Sequence, residues 1–205
     1  MTISALSNRL GDPVDLFYRR IPEGLFPVSP LHRIIHIHVP KTAGTSIRRA
    51  LFGSDVVRHV PAARIPIGLW EAMPSITVVR NPIARFLSNY NYHVKSGYRG
   101  TLMDAHPTMK SWSVAEYVDR LLEDSDLLSP QRFFITRSDS TKPMVDEVVR
   151  FEDMDRALPA ALSKHGVAVE ILHLKKGVAE LPSLDKVTMA RIRDHYAEDF
   201  EAFGY

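Results

Sequence analysis

The chain has 205 residues, 45% apolar and 24% charged, an ordinary balance for one globular α/β domain with a full core. The absence of cysteine excludes disulfides and thiolate metal sites and suits a reducing compartment, and no run approaches the ~20 apolar residues of a membrane-spanning helix. The formal net charge is only +2, and with no basic run and no recognised binding module a nucleic-acid partner is not expected.

In chain order, residues 1–32 carry Pro13, Pro22, Pro27 and Pro30 and are expected to form an irregular lead-in with at most a short helix over 14–19. The opening MTISALSNRLGDPVDLFYRR lacks the basic start and apolar run of a secretory signal, so a cytoplasmic protein is expected. Residues 33–39 read as the first core strand, with His36 and His38 on one face by the two-residue alternation. A His-x-His pair can ligate metal, but no carboxylate or cysteine lies nearby, so no metal is expected. The pair reads as packed histidines beneath a ligand, His38 lying close enough to the next turn to be a candidate proton carrier.

That turn is Val39-Pro40-Lys41-Thr42-Ala43-Gly44, and a helix is expected over 45–52, stopping near Gly53. Strand, glycine-containing turn and helix make a phosphate cradle. The first N–H groups of a helix lack intrahelical acceptors and carry partial positive charge. Lys41 adds a full charge, and Thr42, Thr45 and Ser46 add short hydroxyls. The order departs from G-x-x-x-x-G-K-[ST], because Lys41 precedes Gly44 and no earlier glycine is close, so an ATPase or GTPase is disfavoured.

Val56 and Val57 lead to Arg58-His59-Val60-Pro61, where His59 fits either a surface histidine beside a proline or a functional group. Leu69 and Trp70 are expected to pack at the end of the next helix. Residues 76–79 are a β-branched run that predicts a buried strand. Arg80 closes it, Asn81 is a helix N-cap and Pro82 suits the first helical position. Ile83, Phe86, Leu87, Tyr90 and Val94 then follow helical spacing as a core stripe, and Arg85 and Ser88, three apart, share a face. Arg80 thus stands at the end of a strand, the usual ligand edge of an open α/β sheet. Two such corners within about fifty residues suggest a ligand with two separated anionic groups. The charge distribution agrees: residues 1–100 hold 13 Lys+Arg against 5 Asp+Glu, and the remainder 13 against 19.

Residues 95–111 show no clear period and are expected to be a long loop, in which Lys95, Tyr98 and Arg99 suit an anionic or sugar-like acceptor or simply a solvated surface. A helix over 113–123 opens with a Ser113–Glu116 capping box. A strand over 145–151, a helix over 152–165, a strand over 167–174 and a closing helix over 184–203 complete the chain. The last is expected to turn Val187, Ile192, Tyr196, Phe200 and Phe203 inward. No repeat, low-complexity tract or linker interrupts 1–205, so one domain is expected.

VPKTAGTS followed by VVRNPIARFLSNY resembles the paired nucleotide motifs of sulfotransferases that use 3'-phosphoadenosine 5'-phosphosulfate (PAPS). The likeness is closest to the carbohydrate sulfotransferases of the heparan sulfate 2-O group and their bacterial relatives. The resemblance implies a three-layer, P-loop-like α/β domain with a mostly parallel central sheet flanked by helices. It assigns Lys41, Thr42, Ala43, Gly44, Thr45 and Ser46 to the 5'-phosphosulfate, and Arg80 and Ser88 to the 3'-phosphate. Asn81 replaces the commoner aspartate, and either residue caps a helix. His59, in the interval between the motifs, takes the place of the catalytic base, with Lys41 as the catalytic cation.

The implied reaction is in-line transfer of a sulfuryl group from PAPS to an acceptor hydroxyl on a carbohydrate or glycoconjugate, without metal. Tyr196-Ala-Glu-Asp-Phe200 and Phe203-Gly204-Tyr205 extend the likeness weakly to the end of the chain. Pro130-Gln131, before an aromatic stretch, is family-like without an assigned role, and Lys175-Lys176-Gly177 lacks the asparagine-like character expected near the nucleotide. An ATP-dependent nucleotide or small-molecule kinase and a catalytically inactive nucleotide-binding protein are the competing alternatives.

Overall fold

The computed structural model describes residues 27–29, 31–53, 59–95, 101–123, 128–136, 143–171 and 182–205. Its sheet has four strands in the order β1 (Val28–Ser29), β2 (Ile34–Ile37), β3 (Ser75–Val79) and β4 (Glu147–Arg150). β1 runs antiparallel to β2, with Val28 opposite Ile35. β2, β3 and β4 are parallel, with His36 opposite Ile76 and Val78 opposite Val149. Every residue of β2 (IIHI) and β3 (SITVV) is buried, so both are rich in apolar and β-branched residues, with His36 and Ser75 as the exceptions. β4 pairs with β3 alone among the described residues, and it buries Val149 while Val148 is exposed. Asp146 clamps β4 to β3 by accepting from the Ser75 N–H (2.8 Å) and hydroxyl (2.7 Å).

The helices are α1 (Gly44–Phe52), α2 (Ile67–Ala72) after a 3-10 turn at Ala62–Arg64, α3 (Pro82–Tyr90), α4 (Thr101–Ala105) and α5 (Val114–Leu121). They continue with α6 (Gln131–Ile135), α7 (Met154–Lys164), α8 (Lys186–His195) and α9 (Ala197–Phe203). Alternation along the strands divides the core. Ile34, Ile76 and Val78 pack with Ile47 and Leu51 of α1 and with Leu158 and Leu162 of α7. Ile35, Ile37 and Val79 belong to a second cluster with Leu69 of α2, Phe134 and Ile135 of α6, and Phe203. A third cluster joins Phe86, Leu87 and Tyr90 of α3 to Tyr117 of α5 and Ile192 of α8. The protein is therefore mixed α/β, with a four-stranded, mostly parallel sheet flanked by helices.

Local chemistry sets the helix ends where the sequence predicts them. Gly53 closes α1 in the left-handed region at φ 64°. The Asn81 side chain accepts from the N–H groups of Ile83 (3.1 Å) and Ala84 (3.2 Å), and Pro82 opens α3. Ser113 and Glu116 form both halves of the capping box that starts α5. The predicted stripe Phe86, Leu87, Tyr90 and Val94 is buried, and Leu69 is buried with Trp70 packed partly against the same cluster.

Four expectations are corrected. The closing helix over 184–203 is two helices broken at Tyr196 (φ −104°, ψ 19°), and Val187, expected inside, is 71% exposed. Ile192, Tyr196 and Phe203 are buried and Phe200 partly buried as expected, whereas Val187 lies one position off the inner face of α8, which buries Thr188 and Ile192, four apart. Residues 95–111 are not one loop: a π-helix at Asn91–Lys95 extends α3, and α4 and a 3-10 turn at Met109–Ser111 follow. Met109 and Trp112 are buried, so this segment has its own core anchor. The helix expected over 152–165 starts later, because Phe151–Asp153 is a 3-10 turn leading into α7. Residues 167–171 form no strand, and the rest of the strand expected over 167–174 lies outside the described residues, as do Lys175-Lys176-Gly177 and nearly all of the lead-in.

Candidate functional site

Because β2 and β3 are parallel neighbours, the turn after one and the corner after the other meet at the same edge of the sheet. After β2, Lys41 (φ 68°) and Ala43 (φ 65°) both adopt left-handed backbone, unusual for residues with a Cβ. The two conformations coil the turn tightly into the start of α1, where the Ser46 and Ile47 N–H groups donate to the Ala43 carbonyl (3.0 and 3.2 Å). Thr42 is buried, and its hydroxyl donates to the Val39 carbonyl (2.8 Å), so it shapes the turn from inside. Gly44 lies directly on the His38 ring: a Cβ at this position would stand 1.8 Å from His38 Cδ2 and Nε2. Thr45 is half-buried, Ser46 is buried, and Lys41 is half-buried with its Nζ 4.0 Å from the centre of the Tyr92 ring.

After β3, Arg80 is held from three sides. The Gln131 side chain is wholly buried and grips its peptide groups: Oε1 accepts from the Arg80 N–H and Nε2 donates to the Arg80 carbonyl, both at 2.8 Å. Asp199, also buried, accepts from the N–H groups of Gln131 (2.7 Å) and Arg132 (3.0 Å), capping α6 from a distant part of the chain. The guanidinium lies 4.4 Å from the centre of the Phe151 ring and donates to the Lys41 carbonyl at 3.4 Å, which ties the two corners together. Glu152 accepts from the Asn81 N–H (2.9 Å) and the Tyr205 hydroxyl (2.7 Å). Arg150 donates to the Phe203 and Gly204 carbonyls and stacks on Tyr205, bringing the end of the chain to this corner. Arg80 Nε is buried without a partner among the described residues. Burial pushes the Arg80 pKa down, and the Glu152 carboxylate opposes that shift.

The histidines stack beneath the turn. The rings of His36 and His38 are 6.0 Å apart and those of His38 and His59 are 4.5 Å apart. The Nδ1–H of His59 donates to the His38 carbonyl (3.3 Å), which leaves the lone pair of the neutral ring on Nε2. Burial lowers the His59 pKa, the hydrogen bond to His38 partly offsets this, and the charges of Lys41 and Arg85 lower it further. Burial, followed by the neighbouring positive groups, holds His38 well below the usual range, and burial with Arg48 lowers His36 to about 3. These rings are therefore neutral at pH 7. His59 is half-buried, whereas His38 is buried under Gly44 and is the less accessible proton carrier of the two.

The structure thus brings Lys41, Thr42, Ala43, Gly44, Thr45, Ser46, Arg80 and His59 to one edge of the sheet. Ser88 lies about two turns further along α3, half-buried, while its face-mate Arg85 is wholly buried and donates to the Ser129 carbonyl (2.7 Å). Lys95 is exposed at the end of the π-helix, and Tyr98 and Arg99 lie outside the described residues. No group of His, Cys, Asp and Glu that could hold a metal occurs among the described residues. Gln131, Asp199, Glu152 and Tyr205 belong to the Arg80 corner, a role the sequence does not assign to them. The local signals among them are the glutamine before an aromatic stretch and the weakly family-like segments that hold Asp199 and Tyr205. No protein-family model, curated protein or solved structure matches the chain.

Proposed function

We propose that the protein is a PAPS-dependent sulfotransferase with the three-layer, P-loop-like organisation that the two motifs imply, acting on a hydroxyl of a carbohydrate or glycoconjugate. The observation that carries this reading is the contact between the two anion corners, Arg80 to the Lys41 carbonyl at 3.4 Å, at the ends of adjacent parallel strands. Two cationic corners this close suit one ligand with anionic groups at both ends of a nucleoside better than a triphosphate chain on a single loop. The Nε of Arg80, buried without a partner among the described residues, is a donor that an anion would satisfy, and the Gly44 and Thr45 N–H groups open α1 ahead of its first intrahelical bonds.

PAPS supplies an activated sulfuryl group whose leaving group is adenosine 3',5'-bisphosphate. In this reading the turn and Lys41 hold the 5' side and neutralise charge growing on the departing phosphate oxygen. Arg80 and Ser88 hold the 3'-phosphate. His59 Nε2 accepts the proton of the acceptor hydroxyl as its oxygen bonds to sulfur and the bond from sulfur to the phosphate oxygen breaks. Its lowered pKa keeps the ring in the accepting form at neutral pH.

Calorimetric titration with adenosine 3',5'-bisphosphate, AMP, and ATP with magnesium tests the reading. Tight binding of the bisphosphate and weak binding of the other two is expected. Preference for ATP with magnesium would replace the sulfotransferase by a kinase. Binding of the bisphosphate without sulfuryl transfer to any hydroxyl acceptor would leave a nucleotide-binding protein.

A further inference from the structure

We infer that Gln131 is a positioning residue for the second anion corner: its side-chain amide, set by Asp199, fixes Arg80 where its guanidinium meets the 3'-phosphate. The inference rests on the proposed function for the identity of that phosphate. The ladder between β3 and β4 ends with Val79 opposite Arg150, so Arg80 stands one residue beyond the last strand pairing. There the Gln131 amide replaces a neighbouring strand, satisfying both the N–H and the carbonyl of Arg80 at 2.8 Å. Only a carboxamide does this: a carboxylate of the same shape accepts but cannot donate, and a methionine does neither.

Asp199 completes the relay, with one carboxylate oxygen on the Gln131 N–H (2.7 Å) and the other on that of Arg132 (3.0 Å), which sets where α6 begins. The guanidinium has few polar restraints of its own: a long bond to the Lys41 carbonyl (3.4 Å), a stack on Phe151 (4.4 Å) and a buried Nε without a partner among the described residues. Its position therefore follows from where its peptide is gripped. A glutamine that served the fold alone would affect every ligand of the site alike, whereas a positioning residue for Arg80 affects only ligands that carry the second phosphate.

The full chain and its Gln131→Met variant are titrated with adenosine 3',5'-bisphosphate and with AMP, alone and in an Arg80→Met background. Gln131→Met is expected to weaken the bisphosphate about tenfold or more and AMP no more than about twofold, and to add little once Arg80 is replaced. Equal loss on both ligands, no loss on either, or full additivity with Arg80→Met overturns the inference. If the unaltered chain does not prefer the bisphosphate to AMP, the proposed function fails first and this inference with it. Should Gln131→Met not fold, Asp199→Asn keeps the shape of the carboxylate but turns an NH2 towards one of its two donors. The same selective loss, smaller in size, is then expected, and loss shared by both ligands overturns the relay.

Discussion

Replacing Gly44 by alanine tests whether the turn and the histidine stack are one packed unit. The new Cβ would stand 1.8 Å from His38 Cδ2 and Nε2 and 2.4 Å from Cε1, about 2 Å inside an ordinary carbon contact. A flexible side chain would move aside, but His38 is 6% exposed, rises from the end of a core strand and has the His59 ring at 4.5 Å. Either the ring is forced from its rotamer or the turn lifts off the sheet. Overpacking of this kind costs about 1–3 kcal/mol. For a chain of this size that lowers the melting temperature by roughly 2–12 °C. Lifting the turn also withdraws the N–H groups at the start of α1, so binding of adenosine 3',5'-bisphosphate should fall about tenfold or more.

The assay is thermal denaturation followed by circular dichroism, with calorimetric titration beside it, repeated in a His38→Ala background. Removing the imidazole makes room for the methyl group and leaves the His38 carbonyl that receives the His59 Nδ1–H. The effect of Gly44→Ala should therefore shrink severalfold in that background. An unchanged melting temperature and affinity for Gly44→Ala, or an equal effect in both backgrounds, would refute the packing argument.

Acid should weaken the fold well before the carboxylates titrate. In the unfolded chain His36 and His93 take up protons near 6.5, but in the folded chain burial, assisted by Arg48 and Lys41 respectively, holds them to about 3 and about 4. Between those limits the unfolded state binds more protons, so stability falls with falling pH, by about 1.4 kcal/mol per pH unit for each histidine. Urea midpoints at pH 7.5 and pH 5 should differ accordingly, His93→Gln should reduce the slope, and a flat midpoint contradicts the neutral, buried rings. Lys41→Ala should lower turnover far more than affinity for the bisphosphate, and equal losses would remove its transition-state role. Glu152→Gln removes a carboxylate that Arg80 senses and should raise bisphosphate affinity about two- to fivefold at low salt; a drop would mean that its grip on Asn81 and Tyr205 matters more. His59→Ala should abolish most turnover together with the acidic limb of kcat/KM, which lies below pH 6.5 because the His59 pKa is lowered. Unchanged turnover would move the base elsewhere.

The parts of the fold legible in the sequence are those written within a few residues. The β-branched run of β3, the Asn81-Pro82 start of α3, the Ser113–Glu116 box and the Gly53 stop each carry their own chemistry, and each stands where its residues indicate. Misplacement begins where tertiary contacts override a local period. The single C-terminal helix fails because Tyr196 breaks it, its hydroxyl anchored to the Leu128 carbonyl (2.6 Å) and the following turn bent so that Asp199 reaches α6, although most of the predicted stripe is buried. The site divides in the same way. Lys41, Gly44 and Arg80 are visible because each lies in a contiguous strand-turn-helix motif. The groups that hold Arg80 are separated along the chain from the atoms they bind: Gln131 from Arg80 by 51 residues, Asp199 from Gln131 by 68, Glu152 from Asn81 by 71. No spacing rule joins such pairs, and each of these side chains alone reads as an ordinary polar residue.

In the proposed reading, the topology explains why two anion corners at one edge need not compete for one phosphate. Ligand crevices in open α/β sheets arise where the chain leaves neighbouring strands towards opposite faces. The described sheet has no reversal of strand order, yet the elements that hold its two corners lie on opposite faces. The chain leaving β2 enters α1, whose Ile47 and Leu51 pack with Ile34 and Ile76 on one face. The connection leaving β3 returns through α6, whose Phe134 and Ile135 join Ile35, Ile37 and Val79 on the other. The Lys41 turn is therefore anchored to the α1 face and Arg80, through Gln131, to the α6 face, with the bond from Arg80 to the Lys41 carbonyl spanning the gap. A small ion needs only one corner. A ligand that gains from both must carry two anionic groups on a rigid spacer, so removing either phosphate from an adenosine bisphosphate should cost more affinity than shortening or enlarging the base.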